Sequence, residues 1–68
     1  MSPTPKLMGR RIRALRVDRE LSQAAVAKRA KITREYVNKI EAGHYDPTVG
    51  VLQRIAKALD VPVTELLE

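Results

Sequence analysis

The chain has 68 residues, enough for one small domain and too few for a second core. With no cysteine and a single histidine it excludes disulfide staples and thiolate metal sites, and it leaves no recognisable set of catalytic groups. No apolar run approaches the roughly 18 residues of a membrane span, and the opening MSPTPK has two prolines and no apolar signal-peptide region, so a cytoplasmic, non-enzymatic protein without cofactor or metal is expected.

The net charge of +5 is unevenly spread. Residues 1–16 carry five basic and no acidic side chains, whereas residues 43–68 carry two basic and four acidic ones. A cationic N-terminal part suits a polyanion, and the acidic C-terminal third would face something else. An ordinary solvated surface is also compatible with those totals.

Residues 1–6 read as a flexible arm, because Pro3 and Pro5 disfavour helix. From about Lys6 to Arg19 the spacing predicts a helix: Met8, Ile12 and Leu15 form its apolar stripe, and Arg10, Arg11, Arg13 and Arg16 fill the remaining arc. Some of these arginines should reach phosphate. Gly9 costs roughly 1 kcal/mol in a helix interior relative to alanine, which points to a position near the helix start or to close packing against another element.

The central stretch is Leu21 to Gly43, LSQAAVAKRAKITREYVNKIEAG. Ser22 and Thr33 mark two helix starts, each with an oxygen able to accept from an unpaired N–H of the first turn. Val26, Ala27 and Ala30, then Ile32, Val37 and Ile40, fall at helical spacing as the core face. Gly43 can take the left-handed stop without a Cβ penalty. Two helices joined this closely must cross, which is helix-turn-helix geometry. Lys31 occupies the turn where glycine or asparagine would be easier, so either it accepts strain of order 1 kcal/mol or the first helix ends differently.

On the second of these helices Arg34, Glu35, Asn38 and Lys39 form one stripe opposite Val37 and Ile40. A major-groove reader needs such a stripe: arginine pairs with guanine O6/N7, asparagine with adenine N6/N7, and a carboxylate accepts from cytosine N4. A solvated helix face has the same composition. Gln23 follows the Ser22 cap with an amide able to donate to phosphate. Tyr36 borders the stripe, able to pack, bond a phosphate or touch a thymine methyl. His44 and Tyr45 follow in a turn-rich loop, suited to backbone contacts rather than to metal. Thr48 caps a further helix with Val51, Leu52, Ile55, Ala56 and Leu59 inward, and Asp60 ends it. Pro62 then opens a short last helix, on which adjacent Leu66 and Leu67 cannot both face the core.

These residues resemble the Cro/C1-type (XRE) helix-turn-helix family of bacterial and phage transcriptional regulators. The resemblance is carried by RIRALR at 11–16, LSQAAVA at 21–27, Ile32-Thr33, YVNKIEAG at 36–43, Pro47-Thr48 and RIAKALDV at 54–61. It implies an all-α, five-helix lambda-repressor-like domain over residues 7–68. Lys31 and Gly50 depart from the pattern and bear on local stability. By position, Arg34, Glu35, Asn38 and Lys39 would read bases, and Gln23, Ser22, Thr33, Tyr36, His44, Tyr45, Arg10 and Arg11 would contact phosphates. Family habit implies a homodimer on a pseudo-palindromic site in double-stranded DNA, with Val63, Leu66 and Leu67 as candidate interface residues and no small-molecule effector. The size resembles the controller proteins of restriction–modification systems. The alternative is a protein-interaction module, such as an antitoxin subunit, because fold does not fix function.

Overall fold

The computed structural model describes residues 4–67, and the described chain is helical throughout: α1 (Pro5–Asp18), α2 (Gln23–Ala30), α3 (Arg34–Glu41), α4 (Val49–Ala58) and a closing 3-10 turn (Val63–Leu67). The expected fifth α-helix is therefore a single 3-10 turn. Of the expected N-terminal arm, residues 1–3 lie outside the described residues. Thr4 is already the N-cap of α1 and Pro5 its first residue, where a missing N–H costs nothing.

Each α-helix begins in the same way. Thr4, Ser22, Thr33 and Thr48 have extended backbone, and each hydroxyl oxygen accepts from the N–H three residues on, at 3.0–3.2 Å. Each cap is worth about 1 kcal/mol. The ends also share one device. Glu20, Lys31, Gly43 and Asp60 all have φ between 56° and 81°. In each case this residue donates to the carbonyl three back and the next residue to the carbonyl five back, as in His44 to Lys39 (3.0 Å) and Ile32 to Ala27 (3.0 Å). This is the Schellman stop, which satisfies carbonyls the helix leaves unpaired. After three of the stops, an apolar residue (Leu21, Ile32 or Val61) folds back onto the core.

Only one of the four left-handed residues is glycine, so the other three carry a Cβ penalty of about 1–2 kcal/mol. Lys31 thus accepts the strain, and its side chain is exposed. Lys31→Gly should remove that strain at the expense of extra unfolded-state freedom of about 0.5–1 kcal/mol. We expect a net gain of up to about 1 kcal/mol, raising Tm by roughly 4–8 °C at the upper limit. Thermal denaturation followed by circular dichroism checks this, and a lower Tm would contradict the assignment.

The core is Met8, Ile12 and Leu15 of α1, Val26, Ala27 and Ala30 of α2, Val37 and Ile40 of α3, Val51, Leu52, Ile55, Ala56 and Ala58 of α4, with Leu59 and Leu66. It holds no aromatic ring. Small residues on α2 and α4 let those two helices pack closely, α2 also packs on α3, and α1 bridges α3 and the closing turn. Leu66 is completely buried and Leu67 is 43 % exposed. Leu66 is therefore core and offers no surface to a second copy, which corrects its place among the candidate interface residues. Leu67 and half-buried Val63 remain at the surface.

Candidate nucleic-acid interface

The stripe on α3 is exposed as its spacing predicts: Arg34, Glu35, Asn38 and Lys39 all point away from buried Val37 and Ile40. Gln23, the first residue of α2, is brought to the same face. It lines one shallow depression with Arg34, Glu35 and Asn38. Its amide is tied on both sides, since Nε2 donates to Glu41 Oε1 (3.1 Å) and Oε1 accepts from Asn38 Nδ2 (3.3 Å).

That tie reaches a group the sequence reading did not single out. The Glu41 side chain, at the end of α3, is 4 % exposed and lies in a forked ion pair with Arg16 of α1: Nε to Oε2 at 2.7 Å and Nη2 to Oε1 at 3.1 Å. Arg16 Nη1 also donates to the Leu21 carbonyl at 2.8 Å. The hydrogen bond to Glu41 holds the Arg16 pKa above its ordinary value. Arg16 was expected among arginines that reach for phosphate, yet its guanidinium locks α1 to α3. The sequence signal was only that Glu41 lies inside the motif and near the buried face of its helix.

On the other edge of α3, Tyr36 meets Tyr45 edge to face with centroids 5.5 Å apart, and Lys39 Nζ lies 5.5 Å from the centre of the Tyr45 ring. Thr33, Glu35, Tyr36, Lys39, Tyr45 and Asp46 line the depression there. His44 and Tyr45 are exposed beyond the Gly43 stop. Ser22 and Thr33 use their hydroxyl oxygens as caps, which leaves each O–H proton available for another acceptor. The two arginines expected at phosphates separate. Arg10 is exposed, whereas Arg11 turns to the closing turn, where Nη2 and Nε meet the Glu65 carboxylate and carbonyl at 2.9 Å each. Among the described residues no group of three or more His, Cys, Asp or Glu could hold a metal, and no helix is long and apolar enough to cross a membrane.

A capped helix, a left-handed turn, and a second helix presenting a polar stripe beside the start of the first define a helix-turn-helix domain. The family profile for helix-turn-helix proteins matches residues 12–66, and the chain belongs to that family, in its Cro/C1-type branch of DNA-binding transcriptional regulators. It is 35% identical over 60 residues to the immunity repressor protein of Bacillus phage phi105, covering 88% of this chain and 42% of the repressor. It is 36% identical over 62 residues to an HTH-type transcriptional regulator, y4dJ, of Sinorhizobium fredii, covering 91% and 80% of the two chains. The chain thus spans about two fifths of the length of the phage repressor. Among solved structures, the restriction–modification controller protein C.AhdI of Aeromonas hydrophila superposes with TM-score 0.91 at 32% identity, over 93% of this chain and 96% of that one. The biofilm master regulator SinR, solved in complex with DNA, superposes with TM-score 0.84 at 29% identity, over 90% and 98%.

Proposed function

We propose that this chain is a sequence-specific DNA-binding transcriptional regulator that docks α3 in the major groove of a pseudo-palindromic operator as a homodimer. The supporting observation is the arrangement of Asn38. Its Nδ2 donates one hydrogen to Gln23, and on this exposed side chain Oδ1 and the second N–H have no partner among the described residues. Those are the acceptor and donor that pair with adenine N6 and N7. Gln23 is itself held by the buried Glu41, so the amide is oriented before DNA arrives. Arg34, Glu35 and Lys39 complete the reading stripe.

Backbone phosphates are held by Gln23, through its second Nε2 hydrogen, and by the hydroxyls of Ser22 and Thr33. Tyr36, His44 and Tyr45 serve the strand on the far edge, with Arg10 at the periphery. The two half-sites lie one helical turn apart, roughly 34 Å, and Leu67 and Val63 contribute to the dimer contact. The likeness to C.AhdI and to the phage repressor supports a repressor or controller role.

Selection from a randomised duplex library followed by gel shift tests the reading. A two-fold symmetric site should be enriched. Asn38→Ala and Arg34→Ala should each weaken binding to it by about 1–3 kcal/mol per protomer and relax the preference at one base position. Binding without any enriched sequence, or unchanged by both substitutions, would refute it.

A further inference from the structure

Arg13 belongs to none of the contacts described so far, yet its position on α1 is distinctive. It lines a notch of about 190 Å³ together with Gln23 of α2 and Asn38, Glu41 and Ala42 at the end of α3. The notch therefore adjoins the reading stripe, on the side where α2 begins.

The charges in the notch can be assigned one by one. Glu41 Oε2 accepts from Arg16 Nε, and Oε1 accepts from both Arg16 Nη2 and Gln23 Nε2, so the buried carboxylate is neutralised by a second arginine. Gln23 and Asn38 are neutral. Arg13 is exposed and makes no hydrogen bond or ion pair with any described residue. The net charge of the notch is that of one guanidinium, whose five N–H donors have no acceptor among the described residues. Its neighbour Arg11, by contrast, is engaged with Glu65.

We infer that Arg13 is a backbone-phosphate contact, the cation that clamps the DNA strand passing over the junction of α1, α2 and α3. This rests on the proposed function and adds a residue and a role to it. The planar fork of arginine matches two phosphate oxygens, and phosphate rather than a base edge is its target because α1 stands behind the stripe that enters the groove. Arg13 would thereby fix the register in which Gln23 and Asn38 meet the adjacent nucleotides. A contact of this kind carries no sequence information of its own.

The test compares Arg13→Gln with Lys57→Gln, a charge deletion of equal size on α4, where Lys57 lines the groove against the closing turn. Both are titrated against the library-selected duplex and a scrambled duplex of equal length, at several salt concentrations. For Arg13→Gln the salt slope of log K should fall by about 0.9 per protomer bound. Both duplexes should weaken by the same factor, with base preference and melting temperature unchanged, while Lys57→Gln leaves the slope as in the wild type. An unchanged slope for Arg13→Gln would overturn the inference, as would a shifted base preference at one position, which would make Arg13 a base reader. If the wild-type protein itself bound neither duplex, the regulator reading would fall and the inference with it, an outcome distinct from the other two.

Discussion

Arg16→Ala is expected to lower the unfolding free energy by about 3–5 kcal/mol, because it leaves the Glu41 carboxylate buried without its counter-charge. A domain of this length has in all about 3–10 kcal/mol, so the variant should be largely unfolded at 37 °C. Arg16→Lys keeps the charge but cannot make three bonds from one rigid fork to Glu41 and the Leu21 carbonyl, so an intermediate loss follows. Replacing both partners, Arg16→Met with Glu41→Leu, should cost less than Arg16→Ala alone, since no charge is then stranded. Urea unfolding of the three variants checks the order, and an Arg16→Ala variant within about 1 kcal/mol of wild type would place the pair in solvent instead. Raising the pH is no substitute for the mutation. Its hydrogen bond to Glu41 raises the folded-state pKa of Arg16 above that of a free guanidinium, so its contribution is complete below the free value and is lost only as pH climbs beyond it.

This pair also links stability to recognition. Glu41 Oε1 holds Gln23, and Gln23 holds Asn38, so the orientation of one proposed base-reading amide depends on an ion pair between α1 and α3. In the double replacement, fold and DNA affinity should separate: the helices persist, but Asn38 loses its fixed amide and with it part of the preference for its base.

Local signals were legible and long-range ones were not. Ser22, Thr33 and Thr48 appear as caps, Gly43 as a stop and the apolar positions of α2, α3 and α4 as core, because each follows from residues within one or two turns. Thr4 was missed because the two prolines beside it suggested an arm, although Pro5 is favourable as the first residue of a helix. Glu20 is a left-handed stop that the sequence does not announce, since a glutamate gives no hint of that conformation. Arg11, Arg13 and Arg16 look interchangeable in a basic run. Their partners are Glu65, an open notch and Glu41, and those depend on which neighbour each side of α1 meets, separations of 54 and 25 residues in the two paired cases. Adjacency shows that Leu66 and Leu67 cannot both face the core, but which one does depends on the 3-10 geometry of the closing turn, so Leu66 stands wrongly among the interface candidates.

Two glycine substitutions should have opposite signs, and the larger effect comes from Gly9. In an open helix interior, glycine to alanine gains about 0.8–1 kcal/mol. Gly50 lies in the first turn of α4, two residues after its Thr48 cap, and a Cβ there has only Thr48 Oγ1 for company, at 3.9 Å, so Gly50→Ala should stabilise by part of that amount. Gly9 has the same helical backbone but a different neighbour. A Cβ at Gly9 would collide with the Ile40 carbonyl oxygen and lie 2.7 Å from that of Glu41. Both are backbone atoms of the last turn of α3 and cannot rotate aside, so α1 has to lift away. Overpacking of this kind costs about 1–3 kcal/mol and more where backbone must move. Here that movement also stretches the Arg16–Glu41 fork, so Gly9→Ala should lose about 3 kcal/mol or more despite its better helix propensity. The Ile40 carbonyl accepts from Gly43, so the disturbance extends into the stop that presents His44 and Tyr45. Thermal melts of the two variants decide the matter: a Gly9→Ala protein as stable as Gly50→Ala would mean that α1 does not approach α3 so closely. The glycine expected to weaken α1 is then the residue that lets α1 and α3 meet, and the buried ion pair that orients the reading face forms across that contact.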